Sequence, residues 1–538
     1  MISKENQANY RSDLFKHLDG IVTSPTIICL NDHNVLSHLN EFENEYHDVD
    51  DLAKRFKANA GYLNVGLRVL ASQGWLTANV DNDANKVGYK ISIKGKTAFN
   101  FISIYKPSVE LLKLSAKFHN RRFEVEPFLK LEYVYKEYKK SKEALDKAND
   151  SEKLIIEEIL KHIEGIILGP TIVHLGMSGM FHKYFMETSF KPEEFHHDAD
   201  SFERLLDILV DFGLFSKKER VYQFTEKGLF FARRASAYGV TVSYIPTLRN
   251  LDELIFGSVH KVKDSDTGTE VHVDRAMNVW GSGGAHANYF KVIDKIIIDL
   301  FNKPIDEQPK GILDMGCGNG AFLKHLYYLI EQHTLRGRML DEYPLTLVGV
   351  DYNEEALKIT KSNLIQAEIW AKVIWGDIGD PDQLADDLKN NYQIDLGELL
   401  NVRTFLDHNR VWNKPQEITI KKSTSTGAYS YMGERLSNIE VEQSLVDHLK
   451  KWEPYFRKFG LLVIELHTLE PELTSKNIGK TAATAYDATH GYSDQFIVET
   501  SVYENAIKAA GLSFDQETFK KFPDSDMATV TIKLLKSS

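Results

Sequence analysis

The sequence predicts an α/β protein, with an open, doubly wound sheet in the C-terminal half preceded by two related α+β units. Three observations predict this. Residues 16–30, KHLDGIVTSPTIICL, recur as KHIEGIILGPTIVHL at 161–175, with eight of the fifteen positions identical. From residue 310 onward, apolar strands alternate with amphipathic helices. A glycine-rich turn of the form D-x-G-x-G-x-G joins the first of those strands to its helix.

Length and composition set the frame. At 538 residues the chain exceeds what one core organises, and about three domains are expected. Hydrophobic residues make up 43% and charged residues 26%, a globular balance with no long low-complexity tract. The net charge of -12 argues against nucleic acid as the main partner, because phosphate binding needs a concentrated basic face. The two cysteines, Cys29 and Cys317, exclude a disulfide framework, since Cys317 lies inside the glycine-rich turn. The N-terminus is polar, and no run of about 18 apolar residues occurs. A cytoplasmic protein with no membrane segment is expected.

The repeat extends beyond its first helix. LRVLASQGWL (67–76) parallels LLDILVDFGLF (205–215), and YKISIKG (89–95) parallels YQFTEKG (222–228). Each unit therefore has an apolar helix, a second helix ending at glycine (Gly74, Gly213) and a short strand pair. Glycine there suits a helix end that needs positive φ. That order resembles a winged helix. A winged helix can read DNA or serve as a dimerisation or lid module. The candidate recognition helix of the second unit carries Glu203, Asp207 and Asp211 against Arg204 alone, so phosphate would repel it. The expected boundaries are 1–130 for the first unit, 131–158 for a charged linker or helix, 159–260 for the second unit, and 270–538 for the sheet domain.

The sheet domain carries the ligand signal. Gly316, Gly318 and Gly320 follow an apolar strand whose end bears Asp314. Small residues there let the backbone approach a ligand closely. The next strand, LTLVGVDY (345–352), ends in Asp351 and Tyr352, and a carboxylate at that place can accept both hydroxyls of a ribose. A third strand, AKVIWGDIGDP (371–381), ends in Asp377 and Ile378. Singly, each aspartate suits a helix N-cap equally well; together they form a constellation. It resembles the S-adenosylmethionine (SAM) site of class I SAM-dependent methyltransferases more than a dinucleotide fingerprint. The resemblance implies a Rossmann-like sheet of seven strands closed by a terminal β-hairpin, with residues 512–522 and 527–536 as its strands. It also implies that Asp314 holds the methionine end of SAM, while Asp377 faces the adenine amino group and Ile378 flanks the ring. Tyr289, ahead of the first strand, is expected to cover the methionine end.

Three further segments are rich in catalytic residue types. NVRTFLDHNRVW (401–412) holds Arg403, Asp407, His408 and Arg410; ELHTLEP (465–471) holds Glu465 and His467; TAYDATHGYSDQF (484–496) holds Asp487, His490, Asp494 and Gln495. Ligands of open α/β sheets bind beyond the C-terminal strand ends, so the first two segments point to one cavity, with Arg403 and His408 as candidate catalytic residues. Imidazoles, an amide and carboxylates can bind Fe, Mn, Ni or Zn, and a chelated metal stabilises an enolate. Equally, one histidine can act as a general base while the others pack. The polar stretch 413–438, with Gly427 and Gly433, is expected to be a flap over the site or else a surface insertion.

FLDHNR (405–410), ELHTL (465–469) and YDATHGYSDQ (486–495), with NVWGSGGAH (278–286) and VEQSLVDHLKKW (441–452), resemble the metal-dependent C-methyltransferase domains of polyketide synthase loading modules. That resemblance covers about residues 270–538 and implies a mononuclear iron or manganese centre held by His408, His490 and Gln495, with His467 as a further candidate. It leaves open which of His408 and His467 is a ligand. His408 also occupies the place of the catalytic base in related O-methyltransferases. The expected function is SAM-dependent, metal-assisted C-methylation of a malonyl-like thioester or α-keto acid in polyketide or other natural-product biosynthesis. The substrate would be free or bound to coenzyme A or an acyl-carrier protein, and a homodimer is possible. The alternatives are a metal-free O-methyltransferase with His408 as base, and a SAM-sensing DNA-binding regulator.

Overall fold

A computed structural model describes residues 2–537 apart from 115–117, 120–121, 124, 144, 146–147, 186–188 and 264–270. The polar boundary stretch expected around 257–268 thus lies partly outside the described residues. No helix among the described residues is long and apolar enough to cross a membrane.

The two sequence repeats begin as long helices, α1 (Lys4–Asp32) and, further on, one at Asp150–Met177. The first unit continues with α2 (Ala60–Ser72) and the strand pair β1 (Leu76–Asp81) and β2 (Lys86–Ile91). The charged stretch is not a linker, because α3 (Val125–Glu143) turns Leu131, Val134 and Tyr138 inward and leaves its lysines outside. Asn149 and Glu152 then form a reciprocal capping box that starts α4 (Asp150–Met177) eleven residues before the repeat itself begins. The second unit follows as α5 (Ala199–Asp211), β3 (Phe215–Lys218) and β4 (Val221–Phe224). Gly74 and Gly213 take φ of +74° and +76°, the helix ends the repeat predicts.

The repeated helices pack on each other about a local two-fold. A Cβ on Gly20 would lie 2.2 Å from the His162 Cα, and one on the equivalent Gly165 would lie 2.2 Å from the His17 carbonyl oxygen. Glycine is required at both places because two backbones touch there. The flanking histidines cross over: His17 bonds the Tyr238 hydroxyl at 2.7 Å, and His162 bonds the Tyr105 hydroxyl at 2.7 Å. Two more helices, α6 (Ser236–Ser243) and α7 (Arg275–Phe290), carry the chain into the sheet domain, with Gly239 against Gly281.

The sheet is built from β5 (Gly311–Met315), β6 (Thr346–Asp351), β7 (Lys372–Trp375), β8 (Leu399–Thr404), β9 (Leu461–Leu466), β10 (Leu512–Phe514), β11 (Lys520–Phe522) and β12 (Val530–Ser537). Its order is β7-β6-β5-β8-β9-β12-β10, with β11 also on β12. The first five are mutually parallel, and β12 runs antiparallel to β9. β5 and β9 are buried along their whole length, as helix-covered parallel strands must be. The expected seven strands become eight. Asp515 closes a turn by accepting from the Glu517 and Phe519 amides, and this splits residues 512–522 into two short strands paired to β12. The strand order reverses between β5 and β8, the place where open α/β sheets bind ligands.

Candidate active site

A cavity of about 780 Å³ opens at that reversal. Its floor is the β5 turn, where Gly316, Gly318 and Gly320 all adopt positive φ (+78°, +56° and +75°). At Gly316 the sterics are also closed, since a Cβ would stand 2.9 Å from Leu406. Asp351, at the end of β6, ties the turn down by accepting from the Gly318 amide at 3.0 Å with one oxygen and from the Asn353 amide at 2.9 Å with the other. Burial raises its pKa, and these amides oppose the shift. Asp314 is buried, and neither carboxylate oxygen has a hydrogen-bond partner among the described residues. Burial and the nearby Asp351 push its pKa well up. Asp314 lies behind the glycine turn and, contrary to expectation, does not line the cavity.

The opposite wall carries the histidine pair. His408 donates from Nδ1 to Glu465 at 2.6 Å, and Glu465 also accepts from the Asp407 and Leu466 amides, each at 2.7 Å. In a neutral His408 ring this bond leaves the lone pair on Nε2. His490 sits in α8 (Ala483–Gly491), where its Nδ1 donates to the Tyr486 carbonyl at 2.8 Å and so fixes the same tautomer. Burial, with help from His408, pushes the His490 pKa down to about 3, so its ring is neutral at neutral pH. The two rings meet edge to face with centroids 4.9 Å apart. Gln495 donates weakly to the Tyr244 hydroxyl at 3.3 Å, while its buried Oε1 has no partner among the described residues. His408, His490 and Gln495 all line the cavity that holds Gly316, Gly318, Asp351 and Tyr289.

Other expected site residues lie elsewhere. His467 is no ligand, because both ring nitrogens are engaged, with the Val498 carbonyl at 3.1 Å and the Thr531 hydroxyl at 2.7 Å, and the ring is fully buried between strands. Arg403 is not catalytic. It is buried behind the His408 loop, bonded to Asp407 and His448 and stacked 4.3 Å above Trp452. Asp407 in turn accepts from Tyr503 at 2.6 Å, so this group sets the loop without reaching the cavity. Tyr352 is 65% exposed and stacks on Trp375 outside the cavity. Asp377 closes its own turn on the Gly379 amide, and the Ile378 carbonyl accepts from the Trp452 indole; neither lines the cavity.

The stretch 413–438 is no flap. It lines no part of the cavity and instead straps the first unit to the sheet domain. Asn82 donates to the Ser423 and Ser425 carbonyls, Arg435 pairs with Asp50, and Glu499 accepts from Ser425 and Thr426. Ser423, Ser425 and Thr426 are taken up by these bonds, while most of 413–422 stays exposed.

Some site residues carried no signal in the sequence. Ser236, Tyr244, Arg11, Arg233 and Arg234 reach the cavity from the two front units. The nearest approach to a signal is Glu465, a carboxylate inside the apolar run LLVIEL.

Among the described residues, no three His, Cys, Asp or Glu side chains converge as a metal site. His408 and His490 meet ring to ring, and Gln495 lines the same cavity.

Residues 270–533 match the family described as the AprA MT2-like domain. That match spans 264 of the 538 residues, just under half of the chain. Residues 164–258 match the AprA winged helix domain, and residues 10–78 match the AprA N-terminal domain. No curated protein matches the chain. Among the solved structures that the chain matches is an O-methyltransferase family 2 protein from Planctomyces limnophilus in complex with apigenin (TM-score 0.40, 11% identity, covering 98% of this chain and 95% of that one). An O-methyltransferase family protein from Burkholderia thailandensis has TM-score 0.40 and 10% identity over 71% of this chain and 98% of its own. The CurJ carbon methyltransferase has TM-score 0.32 and 11% identity over 76% of this chain and 99% of its own. The methyltransferase domain thus has a winged-helix domain in front of it.

Proposed function

We propose that this chain is a SAM-dependent methyltransferase that carries out metal-assisted C-methylation of a malonyl-like thioester or α-keto acid in natural-product biosynthesis. The observation that carries the reading is the shared cavity. The glycine turn and Asp351 line one side, and His408, His490 and Gln495 line the same cavity. SAM bound on the turn would supply an electrophilic methyl group, and an iron or manganese ion held by the two imidazoles and the amide would stabilise the enolate of a chelating dicarbonyl.

The chain's own residues do the positioning. Glu465 fixes the His408 tautomer, and the Tyr486 carbonyl fixes that of His490, the arrangement that orients metal-binding imidazoles. Burial keeps His490 free of a proton that would compete with a metal. Tyr289 and Phe405, with centroids 5.8 Å apart, cover the cavity beside the turn and limit water.

A second reading rests on the His408–Glu465 pair. It suits a general base that takes a proton from a substrate hydroxyl in metal-free O-methylation. Metal analysis and chelation separate the two. Under the first reading, His490→Ala loses bound metal and at least about a hundredfold in turnover, while S-adenosylhomocysteine binding persists. A chelator-treated enzyme that methylates a hydroxyl at full rate would establish the second reading in place of the first.

A further inference from the structure

The repeat places an acid at equivalent points of the two long helices, Asp19 in KHLDG (16–20) and Glu164 in KHIEG (161–165). Both are buried, but their surroundings differ. Glu164 is saturated: it pairs with His17 at 3.3 Å and Lys161 at 2.8 Å and accepts from the Tyr138 hydroxyl at 2.7 Å. Asp19 is one methylene shorter, and no ion pair joins it to a cation among the described residues. Its partner is Gln73, at the end of α2, whose amide nitrogen lies 3.3 Å from Asp19 Oδ2 and donates to the Thr484 hydroxyl at 2.8 Å. Thr484 and Ala485 begin α8, the helix that brings Tyr486 and His490 to the cavity, and the N-cap side chain of that helix makes no capping bond. The Ala485 amide reaches the Asp19 carboxyl instead. The second unit has nothing equivalent, since Phe212 stands before Gly213 where Gln73 stands before Gly74.

A buried carboxyl without a cation is more stable as the uncharged acid. Asp19 Oδ1 and Gln73 Oε1 are both buried without a partner among the described residues. A proton on the carboxyl gives this pair a donor and an acceptor, the complement by which an acid joins a primary amide. Burial, first of all, raises the Asp19 pKa to about 8; the Gln73 bond and the Ala485 amide oppose the rise, while Glu158 on α4 and Asp487 on α8 add to it. The other groups packed around it offer no counter-charge. Lys94 is held by Glu158 and Arg68 by Asp487, each at 2.8 Å, and His162 is neutral. Burial keeps the Tyr486 phenol protonated, and Lys16, on the same helix as Asp19, lies by Glu158 and His162.

We propose that Asp19 is a positioning residue that, as an uncharged acid, fastens the first unit to the N-terminal turn of α8 and so fixes His490 in the cavity. The carboxyl ionises at about 8 when α8 is seated and at about 3.8 when it is free. Seating is therefore strongest at low pH and is lost progressively as pH rises from about 4 to about 8. The fastening stands on the contacts of Asp19; its consequence for His490 rests on the methyltransferase reading above.

Hydrogen exchange of residues 483–491 in the full chain, corrected for its intrinsic pH dependence, tests the fastening without any methyl transfer. In the wild type, exchange is expected to rise at least about tenfold between pH 6 and pH 8 and to level off above about pH 9. Asp19→Asn, an uncharged isostere, keeps the protection seen at pH 6 and loses the rise; Asp19→Ala exchanges fast at both values. Unchanged S-adenosylhomocysteine affinity shows that each variant is folded, and should Asp19→Ala fail to fold, Asp19→Asn decides. The same pH response in wild type and Asp19→Asn, a loss of protection in Asp19→Asn at pH 6, or an equal rise in strand 311–315 overturns the proposal. A second readout isolates the consequence for His490: kcat falls at least about threefold from pH 7 to pH 9 in the wild type but not in Asp19→Asn, with KM for SAM unchanged. An α8 that loosens while kcat does not respond overturns the positioning role. Absence of methyl transfer to every substrate would sink the methyltransferase reading and leave the exchange result standing.

Discussion

The two repeated units share a pattern and have opposite fates. In the first, α2 is buried at twelve of its thirteen residues, pressed between the sheet domain and the strap at 413–438. In the second, α5 buries five residues and keeps an acidic outer face. The helix that would enter a DNA groove is therefore sequestered in one unit and negatively charged in the other. The contrast is sharpest at one pair of equivalent positions, counted back from Gly74 and Gly213. Arg68 is buried and bonds Asp487 at 2.8 Å, Thr468 at 3.1 Å and the Leu469 carbonyl at 2.7 Å, and it also reaches the Thr426 carbonyl. Asp207 stays at the surface, paired with Lys217 at 2.7 Å. Duplication thus supplied two copies of a scaffold, one of which became part of the catalytic domain's wall.

Breaking the first unit's attachment gives the largest expected effect. Arg68→Ala leaves Asp487 buried without its counter-ion and several carbonyls without a donor. A loss of about 3–5 kcal/mol is expected, read as a fall in the denaturant midpoint. In the wild type, burial works against the Arg68 charge, but Asp487 and Glu499 outweigh it. A loss below about 1 kcal/mol would show that the unit is held by its apolar face alone.

The crossed histidines provide the next test. Burial first, then Lys94, pushes the His162 pKa down to about 3, whereas at His17 Glu164 opposes the same lowering. A folded-state pKa below the unfolded 6.5 means that the unfolded chain takes up a proton the fold refuses. Stability is then lost as pH falls from about 6.5 towards 3. His162→Gln should remove on the order of 2–3 kcal/mol of the destabilisation between pH 7 and pH 4.5. The measurement compares urea midpoints at the two pH values, so any cost of the substitution at pH 7 cancels. Identical pH dependence in both proteins would exclude His162 as the site of that lability.

The smallest effect is expected at the outer face of α5. Asp207→Asn removes a pair whose side chains are 46% and 28% exposed, and a change of about 0–1 kcal/mol is expected. A larger loss would mean that the second unit depends on its surface charges as the first depends on Arg68.

Much of this was legible in the chain itself, because it was written in local pattern. The repeat, the helix-ending glycines, the glycine turn and Asp351 at its strand end follow from period and spacing, whereas the grouping of His408, His490 and Gln495 came from the resemblance of their motifs to a known family. What spacing left open was settled by whatever packs across from each residue. His408 and His467 both lie just beyond the ends of neighbouring strands, and nothing in the sequence tells them apart. β12 meets His467 with Thr531, whereas His408 meets Glu465 on one side and open cavity on the other. Arg403 was placed near the chemistry by its strand, but its side chain turns to the face covered by Trp452. The polar strap looked like a flap because polarity alone does not say whether its partners are water or protein. The joint lining of the cavity by Arg11 and Arg233 was invisible for the same reason: they lie more than two hundred residues apart, and the packing of α1 against the helix Glu226–Ala232 brings them together. The sequence by itself determined the repeated units, the alternation of strands and helices, and the glycine turn, since these depend on neighbours along the chain. The tertiary structure decided which histidine faces the cavity and which residues roof it, since those depend on side chains brought together from distant segments.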